Sequence, residues 1–200
     1  MSLEPTALDM RGHNLNVALI HWPVLNKARH VVATNVTNFD IHDIARASKT
    51  YGVKKYFIVN KIEEQLMFVS RMLDHWNVGE GSRLNPMRKT ALDMIELCPT
   101  LEDVLSVHFP DGKPQIIATA ARDFPGVPRC SFRELRQEMF ELPQTPRLLL
   151  FGTGFGLDEQ ILKNCDLILE PVKGASIDDY RHLSVRSAVS ICLDRLLGSW

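Results

Sequence analysis

Cysteine is scarce in this chain, four in 200 residues. Cys98, Cys130, Cys165 and Cys192 are far apart and form no CxxC pair. That excludes a disulfide-stapled secreted fold and points to buried thiols in a reducing compartment. The seven histidines contain no HxxxH pair, so no metal site is expected. Long hydrophobic runs are missing as well. Val17–Ile20 and Leu148–Phe151 are far too short to span a bilayer. No basic-then-apolar leader opens the chain, and the expected location is the cytoplasm, away from membranes. An excess of one charge is also lacking. The formal net charge is −1, so any attraction to nucleic acid has to come from a local basic patch.

What the chain does have is ordinary globular composition, 45% hydrophobic and 24% charged. Its length suits a single domain with a real core. Residues 1–14 are polar and patternless and read as a flexible tail. Short apolar runs then alternate with amphipathic stretches. Val17–His21, Lys55–Asn60, Asp93–Leu97, Gln115–Ala120, Arg147–Phe151 and Asp166–Glu170 read as strands. Most are apolar on both faces, as strands covered by helices on each side should be. Helices are predicted at Ile41–Tyr51, Ile62–Trp76, Leu101–Phe109, Ser131–Phe140, Leu157–Asn164 and His182–Leu197. Thr100 followed by Glu102 and Asp103 marks a capped helix start. The fold class is therefore α/β, with a mostly parallel sheet and helices on both faces. Residues 77–90 carry Gly79, Gly81 and Pro86 and read as a loop. Arg83, Arg88 and Lys89 make that loop basic.

One stretch invites a specific chemistry. "LLLFGTGFGL" (Leu148–Leu157) runs from a strand into three glycines, Gly152, Gly154 and Gly156. A dinucleotide fingerprint needs GxGxxG, and here the third glycine comes one position early. Glu170 stands near where a ribose-binding acid belongs. Yet only one strand and one long helix follow, so a nicotinamide-dependent reductase is the weaker alternative.

The stretches after the glycine turn, "ILEPVKG" (Ile168–Gly174) and "LSVRSA" (Leu183–Ala188), follow in a specific order and spacing. Together with "NVTNFDIHDIARASKTYGVKKYFIV" (Asn35–Val59), they resemble the SPOUT, or α/β-knot, methyltransferases, in particular a small stand-alone bacterial branch. The resemblance covers roughly residues 15–198. It implies a deep trefoil knot at the C-terminus, S-adenosylmethionine as cofactor, and methyl transfer to tRNA or rRNA. It also implies a two-fold homodimer built partly on the last helix, each site borrowing residues from the partner. Three loops are expected around the cofactor: Thr119 and Ala120; Gly152, Thr153 and Gly154; and Ile168, Leu169 and Pro171, with Leu183 and Ser187 behind. The glycines would let backbone pass close to ligand or backbone.

Arg46 occupies the family's arginine position and is the candidate for orienting RNA. Asp40 and His42 stand where many ribose-methylating members have asparagine and glycine. With Asp43, they are candidates for proton transfer or, equally, for capping the helix that follows. RNA is expected to approach over Arg83, Arg88, Lys89 and Arg122. A SAM-binding knot protein without catalysis remains the alternative function.

Overall fold

All six apolar runs form strands in the computed structural model, which describes Thr6, residues 10–122 and residues 124–199. The chain opens with β1 (Leu15–Ile20), β2 (Val24–Leu25), β3 (Val31–Val32), α1 (Asn38–Thr50), β4 (Tyr56–Val59) and α2 (Glu63–Asn77). It continues through α3 (Glu80–Leu84), α4 (Pro86–Leu92), β5 (Ile95–Cys98), α5 (Leu101–His108), β6 (Gln115–Thr119) and β7 (Arg129–Cys130). The last elements are α6 (Phe132–Glu141), β8 (Arg147–Gly152), α7 (Glu159–Lys163), β9 (Leu167–Leu169) and α8 (Val185–Leu197).

Seven strands make one sheet in the order β5-β4-β1-β8-β6-β9-β7, and every neighbouring pair is parallel. Alternate residues of a strand face opposite sides of the sheet. Val17 and Leu19 accordingly pack with Ile41 and Ile44 of α1, Leu135 of α6 and Leu193 of α8. Ala18 and Ile20 pack with Val104 of α5 and Ile161 of α7. Both faces of β1 are thus covered, which is why all six of its residues are buried.

Local sequence sets the helix starts. Thr37 with Asp40, Thr100 with Asp103, and Ser131 with Glu134 each form a reciprocal capping box. Each box satisfies donors that the first helical turn leaves open. A buried cation anchors the amino-terminal end of the central strand β8. Arg147 is fully buried, and its guanidinium donates to Gln115, to the carbonyls of Leu142 and Thr145, and to Glu138.

β9 lies between β6 and β7. The chain between Thr119 and Arg129 therefore crosses β9 near its carboxyl end, close to where the chain leaves β9 at Glu170.

Three expectations need correcting. Residues 77–90 are not a loop but mostly the helices α3 and α4. Pro86 occupies the first turn of α4 and Asn85 caps it, a position where proline favours a helix because no partner is needed for its missing N–H. The tail is shorter than residues 1–14, because Met10 is 3% exposed in the core and His13 is buried, bonding the Tyr51 carbonyl. Residues 1–5 and 7–9 of that stretch lie outside the described residues. Finally, the hairpin β2–β3 and the strand β7 were not predicted, since two-residue strands carry no periodic signal.

Candidate functional site

A cavity of about 700 Å³ opens at the carboxyl ends of β1, β8, β6 and β9, closed on one side by the start of α8. Ligands of open parallel sheets bind at this edge, where strand ends leave backbone groups free and connections diverge to either side.

The glycine loop after β8 forms one wall. It is held by the hairpin, not by a following helix. Phe155 N–H donates to the Leu25 carbonyl at 2.8 Å, and Leu25 N–H donates to the Gly156 carbonyl at 2.9 Å. Gly154 has φ +59°, and a Cβ there would lie 2.9 Å from the Leu25 oxygen. The glycine is needed for close backbone contact with β2. This arrangement also removes the dinucleotide reading. The helix after the turn, α7, has five residues and is preceded by Asp158 at its N-cap, whose negative charge disfavours a pyrophosphate. Glu170 is engaged too, accepting the Phe132 N–H at 2.7 Å.

The floor at the β1 end is polar. His21 Nδ1 lies 2.9 Å from Thr34 Oγ1, which lies 2.5 Å from Thr153 Oγ1. Thr153 Oγ1 donates to the Ile20 carbonyl at 3.1 Å. Burial pushes the His21 imidazole from its ordinary value near 6.5 down to about 4, against an opposing pull from Asp40. Asp40 itself is nearly enclosed. One oxygen accepts from the Thr37 N–H and hydroxyl, and the other accepts from Arg186 of α8 at 3.2 Å. Arg186 also reaches Asp43 at 3.5 Å. Cys192 borders the cavity, but burial raises its thiol to about 12, so it is no nucleophile at neutral pH.

Of the ten residues expected around a cofactor, Thr119, Ala120, Gly152, Thr153, Gly154, Pro171 and Leu183 line this cavity. Ile168 and Leu169 do not. They are fully buried between β6 and β7; the loop beyond them, Glu170 to Val172, supplies the wall instead. Ser187 is the partner of Ser184 in capping α8.

Among the catalytic candidates only Asp40 lines the cavity. Asp43 and Arg46 are exposed on α1 and are not among the lining residues. His42 packs edge-on against Trp76, with ring centroids 5.5 Å apart, and burial followed by the Arg88 charge lowers its pKa. The four basic candidates are not gathered together. Arg122 borders the cavity. Arg88 lies 4.5 Å over the Trp76 ring, Lys89 donates to the Asn77 carbonyl, and Arg83 is exposed on α3. Sequence reasoning missed His21, Thr34 and Arg181, all of which line the cavity. A histidine directly after an apolar strand was the available signal for the first.

The volume, the loop backbone and the apolar walls from Val172, Leu183 and Val185 suit a nucleoside carrying an amino-acid end. Fold and site together define a parallel α/β protein with a ligand-sized cavity over the carboxyl ends of its strands. The chain belongs to the SAM-dependent RNA methyltransferase family, whose model matches residues 14–198, and its fold is of the SPOUT type. It is 42% identical, over 98% of its length, to a tRNA (guanine-N(1)-)-methyltransferase of Oleidesulfovibrio alaskensis, and covers 45% of that protein. It thus spans about half the length of this relative. A probable methyltransferase from Bordetella pertussis Tohama I superposes with TM-score 0.60 at 17% identity, over 96% of both chains. The Aquifex aeolicus TrmH/SpoU tRNA modifying enzyme superposes with TM-score 0.52 at 18% identity, over 96% of this chain and 77% of its own.

Proposed function

We propose that this chain methylates a nucleotide of RNA, with S-adenosylmethionine seated in the cavity above β8, β6 and β9. The observation that carries this reading is the convergence of the three expected loops on one cavity of fitting size. S-adenosylmethionine supplies an electrophilic methyl carbon on a sulfonium. The chain's own residues bind, orient and exclude water. Backbone at Thr119–Ala120 and Gly152–Gly154 reads polar edges, while Val172, Leu183 and Val185 give apolar cover. Asp40 holds the entrance of α1 to α8 through Arg186, and with both oxygens engaged its role is structural support of the site. Arg122 at the cavity supplies positive charge for an RNA backbone, while Arg181 is paired with Asp179.

tRNA is the first RNA to test, because two relatives that share this sequence are tRNA methyltransferases by name. The target base is a separate matter, because those proteins are about twice as long. A knot formed where the chain crosses β9 agrees with the strand order. A homodimer agrees with two further features. Phe39 and Leu183 are exposed apolar residues at the α1 and α8 starts, and Arg46 reaches no cavity within its own protomer. In a dimer, Arg46 of one protomer serves the other's site. The cytoplasm is the proposed compartment, and no helix among the described residues is long and apolar enough to cross a membrane.

The test is calorimetry with S-adenosylmethionine, followed by transfer of labelled methyl to fractionated tRNA and rRNA. Binding with transfer supports the enzyme. Binding without transfer to any RNA favours the non-catalytic SAM-binding protein. Sedimentation at micromolar concentration decides the dimer.

A further inference from the structure

The least explained atom in the cavity is His21 Nε2. His21 is 1% exposed, yet this nitrogen has no hydrogen-bond partner. Buried polar atoms left unpaired are uncommon in native proteins, and a specific one calls for a reason.

The bonds around the ring fix its tautomer. Thr153 Oγ1 sits in donating geometry to the Ile20 carbonyl at 3.1 Å, beside the Thr153 N–H that the same carbonyl accepts, and in this arrangement the hydroxyl proton is used there. Thr153 Oγ1 must then accept from Thr34, and the Thr34 proton is used in turn. Thr34 Oγ1 must therefore accept from His21, which places the imidazole proton on Nδ1. In the neutral ring Nε2 is left with a bare lone pair. A protonated ring would need to hold charge in a buried site, which burial opposes. The relay thus leaves an acceptor, and not a donor, on the inner nitrogen of a ring that borders the cavity. Asp40 borders the same end of the cavity and adds negative potential that favours donors.

We propose that His21 Nε2 is a ligand-reading acceptor, fixed by the Thr34–Thr153 relay, which takes one N–H donor from the molecule in the cavity. The inference rests on the reading of that cavity as the methyl-transfer site. Two sources offer such a donor, an amino group of the cofactor and an N–H of the base that receives the methyl group. A ligand lacking the donor leaves the nitrogen unpaired and binds more weakly, by on the order of tenfold to a hundredfold.

Two variants separate the functions of the ring. His21→Asn can still donate to Thr34 but cannot reach the Nε2 position. His21→Gln places an amide oxygen near Nε2. With histidine labelled in nitrogen-15, Nε2 of the free protein should give the signal of an unprotonated ring nitrogen. That signal should shift on adding either S-adenosylhomocysteine or bulk tRNA, and the ligand that shifts it is the donor. If the cofactor is the donor, His21→Asn should weaken S-adenosylhomocysteine binding in calorimetry at least tenfold, and His21→Gln should recover much of it. If the base is the donor, cofactor binding should change less than twofold while methyl transfer to tRNA falls at least tenfold, again with recovery in His21→Gln. A protonated Nε2 in the free protein overturns the proposal. So does a folded His21→Asn that binds the cofactor and methylates as the wild type does. A wild type that binds S-adenosylhomocysteine but methylates no RNA removes the enzymatic reading, while the cofactor arm still decides His21.

Discussion

Gly154 and Leu25 meet backbone to backbone: a Cβ on Gly154 would sit 2.9 Å from the Leu25 carbonyl oxygen, and φ at Gly154 is +59°. The glycine loop is therefore shaped by the β2–β3 hairpin. Gly154→Val should combine left-handed backbone strain with a clash against a main-chain atom that cannot rotate away. We expect a loss of about 1–3 kcal/mol in stability together with loss of S-adenosylmethionine binding. Urea unfolding and calorimetry check both. A Gly154→Val protein with normal midpoint and normal affinity contradicts this account of the loop.

Arg147 should be the most sensitive polar position outside the site. Its side chain is fully buried against Glu138, Gln115 and two carbonyls. Arg147→Ala removes every one of these donors and leaves Glu138 and the carbonyls short of partners. The expected destabilisation is about 3–5 kcal/mol, measured as a shift in the urea midpoint at unchanged slope. A cost below about 1 kcal/mol means that water replaces the guanidinium there.

Stability should fall as the solution is acidified from pH 7 toward pH 4. His21 titrates near 6.5 when unfolded and at about 4 when folded. Between those values the unfolded chain binds a proton that the native ring refuses, so acid favours unfolding. The full shift corresponds to an upper limit of roughly 3 kcal/mol. His13 and His42 shift in the same direction, both chiefly through burial. His21→Gln should flatten the stability profile across this window. Parallel wild-type and variant profiles would show that the ring is solvated.

The basic residues of α3 and α4 should separate by role. Arg83 is exposed, and Arg83→Ala should leave stability unchanged and flatten the salt slope of tRNA binding by about one unit at most. Arg88→Ala should instead cost about 0.5–1 kcal/mol of stability by removing the cation from the Trp76 face. Fluorescence titration of tRNA at several salt concentrations, with parallel unfolding curves, checks the pair. An unchanged slope in Arg83→Ala excludes this face from RNA recognition.

Much of the fold is written in local pattern. Six of the seven sheet strands, the main helices and the capped start at Thr100 follow from apolar runs and short polar signals, because each depends on residues only a few positions apart. The order of the late motifs also picked out loops that line one cavity. What sequence alone left open is whatever depends on strand order. Asp40 completes the cap of α1 as its position allowed, but its other oxygen is taken by Arg186, 146 positions later, which the local sequence does not show. Thr34 and Thr153 are 119 positions apart and touch only because β8 is paired beside β1. Gly154 reads as a glycine for close approach of ligand or backbone, and only the folded chain shows that the backbone it meets is Leu25 of the hairpin. Short-range hydrogen bonding and hydrophobic periodicity thus fix the elements. Which side chains share a cavity, and which nitrogen of His21 faces an empty bond, is decided by packing between elements distant in the chain.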